Sequence, residues 1–232
     1  MDLDEEARWR QWCGWYETAY KDVLTLLHNR HVWRNLIAML AANPGVEQHT
    51  MINNWFTRCY SQTQAVGIRR QSEYEGRRPT LGALLREIES YPSIATSVRY
   101  VSGLPDTSLP NRENGWRNFA PDDGPLVDIN LVTADRQKLA VATTPVRNWV
   151  NKAVAHRDKD KTVKTAPVET SFASINEALD VLAELIRKYH MLFHPGAALW
   201  RATPTTDLGW TEMFRKPWYS ESFEPVDAWD LG

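Results

Sequence analysis

One segment, Pro145 to Lys159 (PVRNWVNKAVAHRDK), gathers most of the residues whose types and spacing could do chemistry. His156 is an imidazole beside Arg157 and Asp158, and such a group exchanges protons near neutral pH. Wound as a helix at about 100° per residue, Asn148, Lys152 and His156 fall along one polar edge. Arg147 and Asn151 fall along the other. An apolar stripe of Val146, Trp149, Val150 and Ala153 lies between the two edges and faces a core. The same residues equally describe a helix C-terminus closed by a cap and a salt bridge. Spacing alone leaves both readings open.

His190 and His194, four apart, are a second pair that could share a helix face. No carboxylate or Cys stands at a supporting spacing, and zinc needs three or four ligands. The expectation is therefore contact with terminal carbonyls, and no metal or other cofactor is expected. His28 and His31 flank an expected turn and read as solvated. The chain has no phosphate-cradling glycine loop, no GxSxG and no HExxH.

Helices must position these residues. Apolar spacings of three and four mark a first helix over about 4–27, ending at His28-Asn29-Arg30. A second runs over about 31–42 with Val32, Leu36, Met39 and Leu40 inward, and Asn43-Pro44-Gly45 stops it. A third covers about 48–70 with Ile52, Trp55, Phe56, Cys59 and Val66 inward. Thr80 caps a fourth, with Leu81, Leu84, Leu85 and Ile88 inward. Residues 102–125 are rich in Pro, Gly, Asn and Asp, without period. They read as a surface insertion, or as a lid or binding loop carrying Trp116 and Phe119. Helix returns near Ala134, and Thr144-Pro145 marks a fresh start or a kink. A capping box at Ser174–Glu177 opens the most periodic helix, through Phe193. No run of alternating strands is found. The class is all-α, with a bundle over 1–198 and a Trp-rich extension over 199–232 that packs on the bundle or docks a partner.

The 232 residues carry 27 Lys+Arg against 29 Asp+Glu, a net charge of −2, which excludes a strongly basic nucleic-acid coat. Two cysteines, Cys13 and Cys59, exclude a disulfide framework. No apolar run approaches the ~20 residues that span a bilayer. The amino-terminal stretch lacks the basic start and apolar core of a secretion signal. A cytoplasmic protein with no membrane association is expected.

Two stretches, Ile68 to Ile88 (IRRQSEYEGRRPTLGALLREI) and Val146 to Lys161 (VRNWVNKAVAHRDKDK), followed by the periodic helix Ser174 to Phe193, resemble the HEPN superfamily. Within it they resemble the abortive-infection-like proteins of bacteria. The resemblance covers most of the chain from Asp22 to His194. It implies an α-helical bundle, commonly a homodimer, and in many members a metal-independent ribonuclease. That motif is an Arg, a polar residue and then a His after four to six others. The RNA 2′-hydroxyl is the nucleophile, the His transfers the proton and the Arg steadies the phosphate. Carried onto this chain, the site is His156, Arg147, Asn148 and Asn151, with Lys152, Arg157 and Lys159 holding RNA. Here His156 follows Arg147 at a longer interval than the family spacing. A toxin-antitoxin or antiviral defence role follows from the resemblance. A non-catalytic dimerisation or partner-binding module, engaging an antitoxin or defence-complex partner through the tail, is the alternative.

Overall fold

The computed structural model describes residues 4–42, 50–75, 78–104, 115–151 and 171–196. Among these residues the main α-helices run in order: α1 (Glu5–Ala41), α2 (Thr50–Gln71), α3 (Leu81–Ser90), the short α4 (Ser97–Ser102), α5 (Ile129–Trp149) and α6 (Phe172–Phe193). A 3₁₀ turn, Pro92–Ile94, links α3 to α4. Among the described residues there is no strand ladder, only an isolated bridge between Thr96 and Leu126. The all-α expectation holds.

The centre of the bundle is α6. Ile175, Ala178, Leu179, Leu182, Leu185, Ile186, Tyr189 and Leu192 are all buried, so the helix is apolar around most of its girth, as a core helix must be. It lies antiparallel to α1, with Arg30 to Asp180 at one end (2.7 Å) and Glu17 to His194 at the other (2.6 Å). It is also antiparallel to α5, through Lys138–Glu184 and Asp135–Lys188, each 2.6 Å. The first helix of the sequence does not stop at His28. α1 continues through it as one helix of 37 residues, because Leu26, Leu27 and Leu36 keep packing inward across the polar stretch.

Several other expectations shift. Ser171, not Ser174, caps α6: its hydroxyl accepts from the Ser174 amide at 3.1 Å. Pro145 neither begins nor breaks a helix, since α5 runs through it. The carbonyl that Pro145 cannot bond belongs to Val141, which is 73% exposed and open to water. Of the 102–125 stretch, residues 105–114 lie outside the described ones. Trp116 and Phe119 are not lid residues, because both are buried in the core. The Trp116 indole donates to the Gly124 carbonyl at 2.9 Å, and Phe119 packs on Tyr189. The Trp-rich extension, 199–232, also lies outside the described residues.

α2 departs most from its sequence pattern. Its expected core stripe faces outward: Trp55 is 57% exposed, Ile52, Cys59 and Val66 are exposed too, and neighbouring Met51 is 85% exposed. Phe56 is half-buried. The face turned to α1 and α6 instead carries Gln64, Ala65, Ile68 and Gln71, all fully buried. The Gln64 amide donates to the Leu26 carbonyl (3.0 Å). Gln71 donates to Asp22 (2.8 Å) and accepts the Leu81 amide (3.1 Å). Gly67 lies against Leu26 where a Cβ would collide. Close approach and buried polar bonds orient this helix in place of its larger apolar stripe.

Candidate functional site around Tyr74 and Arg147

The polypeptide reaches the site from two directions. One is the turn after α2, where Ser72 and Glu73 close the helix with amide bonds back to Ile68, Arg69 and Arg70. This turn is pinned by α3. Thr80 accepts the Ala83 amide as N-cap (3.1 Å), and its hydroxyl donates to the Glu73 carbonyl (2.8 Å). Gly82 sits so close that a Cβ there would lie 2.7 Å from the Glu73 oxygen. Tyr74 is thereby fixed, half-buried, with its hydroxyl donating to the Arg136 carbonyl at 3.4 Å.

The other direction is α5, which carries Arg136 and Arg147. They stand eleven residues apart, so at about 100° per residue they share a face to within about 20°. Each guanidinium carbon lies 5.9 Å from the centre of the Tyr74 ring, within cation–π range. Burial pushes the Tyr74 phenol up, and the charges of Arg147 and Arg136 pull against it. The phenol stays neutral and serves as a platform.

The two cations differ in what balances them. Arg136 is paired with Glu89 at 2.8 Å, and Glu89 also takes the Thr133 hydroxyl. Burial raises the Glu89 carboxyl, but the bonds from Thr133 and Arg136 outweigh it and hold the group below its usual range. Arg147 has no carboxylate within ion-pair distance among the described residues. Its charge is half-exposed on an aromatic face.

Asn148 and Asn151 are exposed one turn beyond or less. At Val150–Asn151 the helix widens into a π turn, a feature common at functional sites. His156, Lys152, Arg157 and Lys159 lie outside the described residues. Among the described residues the structure brings Arg147 together with Tyr74 and Arg136. Sequence reading missed Tyr74, Arg136, Glu89 and Thr133. The signal for Arg136 was its eleven-residue spacing from Arg147. For Tyr74 it was its place inside the Ile68–Ile88 stretch.

The other cluster of titratable groups lies where α1 meets α6. His190 Nδ1 is 3.0 Å from the Tyr16 hydroxyl, which donates to the Ile186 carbonyl at 3.2 Å. The two histidines therefore bond to α1 side chains, His190 to Tyr16 and His194 to Glu17, and not to terminal carbonyls. Burial and the neighbouring His194 lower His190, with Glu17 opposing. No group of three or more His, Cys, Asp or Glu among the described residues could hold a metal. This arrangement is a seam between two helices.

No helix among the described residues is long and apolar enough to cross a membrane. No curated protein and no solved structure matches the chain significantly. The family model described as AbiU2, of the HEPN type, matches residues 11–202. That span takes in the Tyr74 turn, α5 and its π turn, and the whole central helix. The chain therefore belongs to the AbiU2 family of HEPN proteins, an abortive-infection-like branch of that superfamily.

Proposed function

We propose that this protein is a metal-independent endoribonuclease acting in bacterial defence or as a toxin in the cytoplasm, working as a homodimer on RNA. The observation that carries the reading is Arg147, a guanidinium seated on Tyr74 and left without a carboxylate among the described residues. An ion-paired arginine has spent its charge, whereas this one retains it for a phosphate. In this reading Arg147 steadies the phosphate and His156 moves the proton of the 2′-hydroxyl. Asn148 and Asn151 orient the strand, and Lys152, Arg157 and Lys159 hold its backbone. Tyr74 is a positioning residue that acts through Arg147.

The test is cleavage of single-stranded RNA by the purified full chain with chelator present. His156→Ala lowers the rate by about 10²–10⁴-fold, and Arg147→Ala by about 10²-fold or more. Tyr74→Leu lowers it by a smaller factor and raises KM through the loosened guanidinium. Full activity in His156→Ala overturns the proposal.

The apolar face of α2, which no described residue covers, favours a second reading, a non-catalytic module that binds a partner such as an antitoxin. It is the better reading if the chain cleaves no RNA and co-purifies with a protein released by Trp55→Lys.

A further inference from the structure

Met51, Ile52, Trp55, Cys59 and Val66 form one stripe along the outward side of α2, about 22 Å long at helical rise. An amphipathic helix normally buries such a stripe, and nothing among the described residues covers this one. The surrounding charge is mostly positive. Between Asp22 and Glu73 the sequence holds Arg30, Arg34, Arg58, Arg69 and Arg70, with Glu47 as the lone acid. A second copy of the same face would bring arginines onto arginines, with only Asp22 and Glu73, already engaged by Arg70 and Arg69, to offset them.

The complementary composition lies in the same chain. After Lys216 the sequence has no Lys or Arg. It has Glu221, Glu224, Asp227 and Asp230 interleaved with Trp218, Tyr219, Phe223, Val226, Trp229 and Leu231. Acid and aromatic alternate there as cation and apolar residue do on α2. The connection is long enough. From Gly196 to Trp218 an extended chain reaches about 70 Å, twice the ~33 Å length of α6.

We infer that the acidic aromatic segment 218–231 covers the outward face of α2 within the same chain. Its aromatics lie on the Met51–Val66 stripe, and its carboxylates face Arg58, Arg69 and Arg70. Arg70 already meets Asp22 at 3.2 Å, and Arg69 reaches Glu73 only at 4.0 Å. Arg58 is the cation with the fewest competitors and the principal contact.

Cys59, inside the stripe, is a built-in reporter, and half-buried Cys13 on α1 is its internal reference. The experiment measures alkylation of both thiols by iodoacetamide in the full chain. It compares the native protein with the variant Glu221→Gln, Glu224→Gln, Asp227→Asn, Asp230→Asn. Cys59 reacts about fivefold or more faster in the variant, while Cys13 is unchanged. Trp229→Ala moves Cys59 in the same direction. Raised salt, which screens the pairing, speeds Cys59 in the native chain without any substitution. Tenfold dilution leaves the native rate unchanged. Equal Cys59 rates in native and variant chains overturn the inference. Protection that fades on dilution would assign the stripe to a second copy. Protection that arises only on adding single-stranded RNA would assign it to nucleic acid. Either of those results overturns it as well.

Discussion

α2 and α6 are the same length, 22 residues each, and both carry a helical apolar stripe. In α6 the stripe is the core of the bundle; in α2 it faces away from it. The difference lies in the opposite faces. Behind the α6 stripe are charged residues that need water, Glu184 and Arg187 among them. Behind the α2 stripe are Gln64, Ala65, Gly67, Ile68 and Gln71, which fit the surface of α1 closely and satisfy buried carbonyls and amides. An apolar stripe shows that a helix has something to bury, but not which neighbour buries it.

The largest test of this contrast is truncation on the two stripes. Leu182→Ala, at a fully buried position of α6, costs about 2–5 kcal/mol in urea unfolding. Trp55→Ala on α2 removes a larger side chain yet costs less, because Trp55 lies outside the bundle core. Equal losses would mean that α2 is as deeply held as α6 and would end the comparison.

A smaller effect separates two glycines. At Gly82 an added methyl meets the backbone oxygen of Glu73 at 2.7 Å, and backbone cannot swing aside. Gly82→Ala therefore costs about 1–3 kcal/mol and loosens the Tyr74 turn. At Gly67 the obstacle is the flexible end of Leu26, so Gly67→Ala costs less by the same measurement. The reverse order would show that the α1–α2 contact is the stiffer of the two.

The smallest effect is a pH slope that belongs to the α6 end alone, since α2 contains no histidine. His190 binds its proton more weakly in the folded chain than at its ordinary 6.5. The folded state thus holds fewer protons than the unfolded one below that value. This contribution is present above pH 6.5 and is lost as pH falls through the lowered folded pKa. Tm should fall between about pH 7 and about pH 5.5, and His190→Gln should flatten the fall. An unchanged slope in that variant would place the titration elsewhere.

Much of the fold was legible because caps and stripes are local. Thr80 and the α3 core residues Leu81, Leu84, Leu85 and Ile88 can be read from spacing, and all are buried as expected. Less local features were not legible. The polar His28–Arg30 stretch reads as a stop, yet helix continues there because Leu26, Leu27 and Leu36 are buried on either side of it, with Arg30 reaching Asp180 on α6. Trp116 and Phe119 sit in a stretch without period and are core residues, because their partners Tyr100 and Tyr189 are distant in sequence. The same limit applies to the site. Arg147 could be named from its motif, but Tyr74, seventy-three positions earlier, becomes its neighbour only through the Thr80–Glu73 clasp.

α1 is a single rod of 37 residues, about 55 Å long, and it crosses α2 most tightly where Leu26 overlies Gly67. On one side of that crossing Arg30 ties the rod to Asp180, and on the other Glu17 ties it to His194. One unbroken rod thus joins the two ends of the central helix, about 23 Å of it running on toward Ala41 and about 15 Å back to Tyr16.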